Sequence, residues 1–291
     1  MFGGIAILRN LLCVAHGEAH GQVFLVDLDE RRVISRIVVH DQEHQFTDAE
    51  AVAVDGSCSV YVADTRNDVV RRYTAFGRQV ARYGTRVERG PGTVERDRVG
   101  VLDRPRALAV HRNVLWVASG ERKLVRGVQA FDLQTGEAIG FLRAFGEVDR
   151  RFGAPRGLFV DATGVLVADT LHGVIQRFVH DGRYVGEIPL RRDADIASRP
   201  IAVLRLPGGD VLVVDAGDRG GLARVSLSGV RQPLPDLPEG TFVEPSALAT
   251  DAAGRVYVLD RHGERVQRLS PDLTYEGVVV DLQEVLGRME E

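Results

Sequence analysis

VYVADTRNDVVRRY at 60–73, VLVADTLHGVIQRF at 165–178 and RVYVLDRHGERVQRL at 255–269 are three copies of one phrase. Each follows a second recurring phrase, and that phrase has further copies: RPRALAVH at 104–111, APRGLFVD at 154–161, RPIAVLRL at 199–206 and EPSALATD at 244–251. DAEAVAVD at 48–55 fits with Ala49 in the proline position, and the N-terminus fits with Phe2 there, since FGGIAILRNLLCVAH aligns without a gap on PRALAVHRNVLWVAS. The units therefore start near positions 2, 49, 105, 155, 200 and 245. Self-similarity at a period of this length marks a repeat architecture, and six units fill the 291 residues without remainder.

Each unit divides into four short apolar segments separated by Gly, Asp or Asn turns, as GLFVD, GVLVAD, VIQRF and RYVGEI do in the fourth. The first two segments are nearly continuous runs of Val, Leu, Ile and Ala, which suits strands covered on both faces. No unit sustains helical spacing, so a helical solenoid is excluded. The pattern predicts an all-β chain: one domain over 1–291, a six-bladed β-propeller of four-stranded antiparallel blades. DLQEVLGRMEE at 281–291 is expected to be a tail or short helix.

Apolar residues make up 44% and charged residues 27% of the chain, enough to bury a sizeable core. A net charge of −4 argues against a protein dominated by phosphate-backbone binding. Arg almost entirely replaces Lys, Lys123 being the exception, which reads as the coding bias of a GC-rich, bacterial-like genome. Cys13 and Cys58 both lie in apolar, strand-like runs and read as small buried hydrophobes, so no disulfide is expected. The N-terminus has no basic n-region, and Arg9 and Asn10 interrupt its apolar run, so it is not read as a signal peptide. A cytoplasmic monomer without membrane contact is the expectation.

The phrases Pro-x-Gly-Leu-x-Val-Asp, Val-x-Val-Ala-Asp-Thr and Val-Ile-Gln-Arg-Phe resemble the NHL repeat over essentially the whole chain. WD40 and kelch repeats fit worse, because Trp116 is the single Trp and paired blade glycines are absent. The resemblance implies that the residue after each proline position faces the mouth of the central channel: Gly3, Glu50, Arg106, Arg156, Ile201 and Ser246. It implies that the loops beginning at His16, Asp64, Ser119, Asp169, Asp215 and Asp260 open on the same face. Lyases similar to this family hold a metal with His at several of the mouth positions, and this chain has none there, so no metal or other cofactor is expected.

The four Asp in register read as turn residues, accepting hydrogen bonds from the amides that follow. His16 and Ser119 break that symmetry and are candidate ligand-binding residues. Glu50, Arg106 and Arg156, on consecutive blades, bring one carboxylate and two guanidinium forks to one place, which suits a carboxylate or phosphate ligand. His16, His20, His40 and His44, with Glu18, Asp41 and Glu43, carry side chains that bind divalent metals but match no ligand spacing, so a divalent metal there is a minor alternative. The 84–105 link and the 119–127 loop together carry seven Arg besides Lys123, a basic edge without the interleaved aromatics on which bases stack, so RNA is a minor alternative. The leading expectation is a binding or scaffold propeller recognising a protein partner or a small anion on its top face. The alternative is a lactonase-, lyase- or isomerase-like enzyme with Glu50, and His16 nearby, as acid or base and the two arginines as electrostatic stabilisers.

Overall fold

The computed structural model describes residues 2–17, 21–38, 48–86, 99–120, 127–142, 152–190, 197–217 and 220–287. Six four-stranded antiparallel sheets, each in simple sequence order, form the six blades of a β-propeller. Their first strands are Phe2–Leu8, Ala49–Val54, Ala107–His111, Pro155–Asp161, Pro200–Arg205 and Pro245–Thr250, so five units begin where the repeat places them. In blade 3 Pro105 and Arg106 precede the strand.

Every second strand is buried on both faces, and this is why it reads as an unbroken apolar run. In Val60–Asp64 of blade 2, Val60 and Val62 pack with Cys13, Val23 and Leu25 of blade 1. Tyr61 and Ala63 point the other way, into Leu115, Val117 and Phe131 of blade 3. The alternation follows from the two-residue period of a strand. It repeats around the ring as six apolar clusters, one between each pair of neighbouring blades.

Blade 1 is built wholly from the N-terminal unit and blade 6 wholly from the last, and among the described residues no strand crosses from one terminus to complete the other's sheet. The ring closes by packing instead. Phe2, Ile5, Leu12 and Phe24 of blade 1 share a core with Tyr257, Leu259 and Val266 of blade 6. A polar clamp accompanies it. Thr65 and Thr170 each donate a hydroxyl to the carbonyl of the next blade's leading proline, Pro105 and Pro200, at 2.7 Å. The same position in blade 6 holds Arg261, whose Nε reaches the Phe2 carbonyl at 3.1 Å, making the equivalent link across the closure.

The four register Asp are structural, but most of their donors differ from those expected. Asp169 accepts from the Gly153 and Ala154 amides, and Asp260 from those of Val243 and Glu244. These amides belong to the link that enters the blade; Asp260 also accepts from the Gly263 amide of the following turn at 3.4 Å. Asp215 accepts from both, through Arg199 at 2.7 Å and Gly217 at 3.0 Å. Asp64 instead holds side chains, Asn67 at 2.8 Å and the buried Arg71 at 2.9 Å. A carboxylate suits this place in blades 4, 5 and 6 because the incoming link would otherwise bury unpaired amides.

The 84–105 link is anchored at both ends. Thr85–Arg86 pairs in parallel with Val101–Leu102, Leu102 is buried between blades 2 and 3, and buried Gln129 binds the Val101 carbonyl and the Gly100 amide. Its centre, 87–98, lies outside the described residues, as does 121–126 of the 119–127 loop. Leu282–Gly287 forms a short helix at the start of the expected tail. Cys13 is a buried core residue, and burial, with Cys58 nearby, pushes its thiol up to about 12. Cys58 departs from the expectation: it is half-buried and sits in the Asp55–Ser59 turn at φ 61°, not in a strand. Both cysteines are free. Among the described residues no helix is long and apolar enough to cross a membrane.

Candidate functional site

The first strands enclose a central channel, and at the end where those strands begin, the top, it widens to a cavity of about 560 Å3. Gly3, Glu50, Arg106, Arg156, Ile201 and Ser246 all line it. One residue per blade reaches it from the same register, so six nearly identical strands present six different side chains to one space. Gly3 lets blade 1 approach closely enough to complete the wall: a Cβ there would lie 2.4 Å from the Glu50 carbonyl oxygen and 2.8 Å from its Cα. The backbone that carries Glu50 is therefore held against a residue that cannot be enlarged.

The charged lining is paired in places. Arg106 Nη1 donates to Glu50 Oε2, and Arg104 Nη2 stands 3.9 Å from Glu50 Oε1. The side chains of Arg106 and Glu50 are 18% and 22% exposed, so their ion pair is screened far less than a surface pair. Across the channel, Arg261 Nη1 lies 3.7 Å from Glu244 Oε1. Arg156 and Arg199 also line the cavity. Among the described lining residues, four guanidinium groups (Arg106, Arg156, Arg199, Arg261) thus face three carboxylates (Asp48, Glu50, Glu244), an excess of one positive charge. The walls below are apolar, with Ile5, Val52, Leu108, Leu158, Val203 and Leu248.

The structure brings together three of the five residues singled out as ligand-binding, Glu50, Arg106 and Arg156. It does not bring His16 or Ser119 to them, and neither lines the cavity. The His16 ring packs against Phe2 at 4.8 Å and Phe24 at 6.2 Å between centroids. Ser119 is fully buried, opposite Gly127 in blade 3. Broken symmetry at these two positions goes with a change in packing: an aromatic contact at His16 and a small, fully buried side chain at Ser119.

Asp48, Arg199 and Glu244 were not singled out, yet each precedes a proline position by one residue. The same register comparison that found Glu50 would have found them two places earlier. Arg261 occupies the Thr position of the VADT phrase and was legible in the same way. Of the metal-ligand cluster around His16, the residues His20, His40, His44, Glu18, Asp41 and Glu43 lie outside the described residues. Among the described residues no group of three or more His, Cys, Asp or Glu side chains is placed to hold a metal ion.

No protein-family model matches the chain, and no curated protein matches it. Solved structures do. The chain superposes on virginiamycin B lyase from Staphylococcus aureus at 14% identity, covering 94% of this chain and 83% of that one, with a TM-score of 0.64. A streptogramin B lyase gives 12% identity, 95% and 82% coverage and a TM-score of 0.65. A protein of unknown function from Bacteroides caccae gives 11% identity, 96% coverage of both chains and a TM-score of 0.65. The NHL family is thus a likeness carried by the repeat phrases, and what the comparisons establish is the fold: this chain is a six-bladed β-propeller of the shape that these lyases share.

Proposed function

We propose that this propeller binds a small organic anion, a carboxylate or phosphate ester, in the top of its central channel. The convergence of Arg106, Arg156, Arg199 and Arg261 on one concave cavity carries the reading. Guanidinium forks recognise planar carboxylates and phosphates through paired hydrogen bonds, and a cavity of this size and shape suits a small ligand. Glu50 and Glu244 hold Arg106 and Arg261 in place and set a limit on the charge the site accepts. The apolar wall beneath suits the uncharged part of the same ligand. An acidic side chain of a partner protein presents the same chemistry, so a docking role at the top face uses the same arginines.

Native mass spectrometry of the gently purified protein, with a denatured sample to identify what is released, tests this directly. A retained organic anion, absent from the Arg106→Gln/Arg156→Gln double variant, supports the site. A bare protein that also gives no calorimetric response to succinate or inorganic phosphate removes it.

A catalytic reading rests on a narrower observation: Glu50 is a carboxylate in the wall of that cavity, between two arginines, on a fold shared with lyases. In that reading Glu50 moves a proton and the arginines stabilise developing negative charge. Glu50→Gln then abolishes turnover of a bound ligand while leaving the fold intact. Turnover unchanged in Glu50→Gln defeats the catalytic role and leaves the binding role standing.

A further inference from the structure

At the opposite end of the propeller, a second cavity of about 330 Å3 opens between blades 3 and 4. It is lined by His111, Trp116 and Phe141 from blade 3 and His180 from blade 4, with Ile139 and Leu142 beside them. The His111 and His180 rings are stacked, 5.3 Å apart and 14° from parallel. Trp116 is 4% exposed, and its indole Nε1–H has no hydrogen-bond partner among the described residues. Nε2 of His111 is buried and likewise without one.

The other blades show why the cavity exists. Across blade 3 the register row is Ala109, Trp116, Ala130 and Gly140. The same row in blade 2 is Ala53, Tyr61, Arg72 and Ala81. There the Arg72 guanidinium lies over the Tyr61 ring at 5.5 Å, its Nη2 donates to Ser59 at 2.9 Å, and Asp55 accepts from the Tyr61 hydroxyl at 2.8 Å. Blades 4, 5 and 6 also carry Arg in the third-strand place, as Arg177, Arg224 and Arg268. Blade 3 replaces the whole set: Asp55 becomes His111, Tyr61 becomes Trp116, and Arg72 becomes Ala130. The slot in which blade 2 stacks a planar group on an aromatic ring is left open, and the carboxylate that holds the cation is gone.

We infer that this inter-blade cavity binds a small, neutral, planar aromatic molecule carrying one hydrogen-bond acceptor. The walls favour a flat ring that stacks as the missing guanidinium would. Trp Nε1 is a donor only, so the group that satisfies it must be an acceptor. Loss of the Asp disfavours a cation, and the exposed Arg112 and Asp181 at the cavity offset one another. The volume accommodates one or two rings.

Trp116 is the single Trp in the chain, so its fluorescence reports this cavity alone. Benzamide, titrated as the probe, is expected to give a saturable change in the millimolar range or below. Benzamidine has the same ring but a cationic, donor-only head, and cyclohexanecarboxamide has the acceptor but no planar ring; both are expected to bind about tenfold more weakly or less. Ala130→Arg restores the residue of blades 2, 4, 5 and 6 and is expected to abolish saturable binding while retaining Trp116. Gly140→Val, which narrows the same row from the outer strand, keeps the test open should that variant fold poorly. Calorimetry on Trp116→Phe, which keeps a ring but removes the donor, is expected to show about tenfold weaker benzamide binding. No saturable response to benzamide, equal binding of cyclohexanecarboxamide, or full affinity in a folded Ala130→Arg or Gly140→Val protein each overturns the inference.

Discussion

Blades 2 and 3 are neighbours built on one repeat, and they treat the same row of residues in opposite ways. Blade 2 makes a closed set: Asp55 accepts from the Tyr61 hydroxyl and the Ser57 and Ser59 amides, and Arg72 covers the ring. Blade 3 keeps the aromatic and discards the groups that completed it. The backbone barely registers the change, since both blades carry a register shift at the same place on the third strand, after Arg72 and after Ala130. A repeat fold therefore tolerates a cavity where one unit loses its large side chain, because neighbouring strands hold the frame.

The largest expected effect separates the two aromatics. Tyr61→Ala should cost about 4 kcal/mol of stability in urea unfolding followed by circular dichroism, because its ring is fully enclosed. Trp116→Ala should cost about 1–2 kcal/mol less than that, since its ring already borders a cavity and loses fewer contacts. An equal or larger cost at Trp116 would break the comparison. Next comes the conversion of blade 2 into blade 3: Arg72→Ala uncovers Tyr61 and leaves Ser59 and Asp55 short of a partner, for about 1–2 kcal/mol. The reverse change, Ala130→Arg, should move stability by less than about 1 kcal/mol, as it fills space without displacing a packed group.

The smallest effect is on pH dependence, and it differs between the blades. Burial, then the neighbouring His180 and Arg112, holds His111 below the usual imidazole range against a weaker pull from Asp161. The folded protein thus binds a proton at His111 less readily than the unfolded chain. Its contribution is fully present above the unfolded imidazole value, about 6.5, and is lost as pH falls through the lower folded value. Burial opposes ionisation of Asp55, but hydrogen bonds from Ser57, Tyr61 and Ser59 outweigh it and hold the carboxyl below its usual range. Its contribution is present above about 3.9 and lost only in stronger acid. Thermal melts should therefore show a shallow loss of stability just below pH 6.5 that His111→Asn flattens, and a separate, more acidic loss that Asp55→Asn flattens. A single transition removed by neither substitution would show that the two blades do not titrate separately.

Much of the architecture was legible because a propeller is local. Each blade is a run of consecutive hairpins, so the four apolar segments of each unit predict its four strands, and the resemblance to NHL repeats places the residue after each proline position at the channel mouth. Glu50, Arg106 and Arg156 were found in this way. His16 and Ser119 were misplaced by the same reasoning, because the register says which face a loop opens on but not whether one side chain turns inward onto Phe2 and Phe24. Cys58 was misplaced because a run rich in small residues reads as a strand when the chain in fact makes a tight turn.

By itself the sequence determined the number of units, their order and the antiparallel pairing within each. Those properties depend on alternation and turns between near neighbours along the chain. Only the tertiary structure decided what spans two blades: the closure of blade 6 on blade 1 through Arg261 and the Phe2 carbonyl, and the opening between His111 and His180. In each case the partners are far apart in the chain and come within reach only when the ring closes. No local pattern records that distance, because it is set by the packing of whole blades against one another.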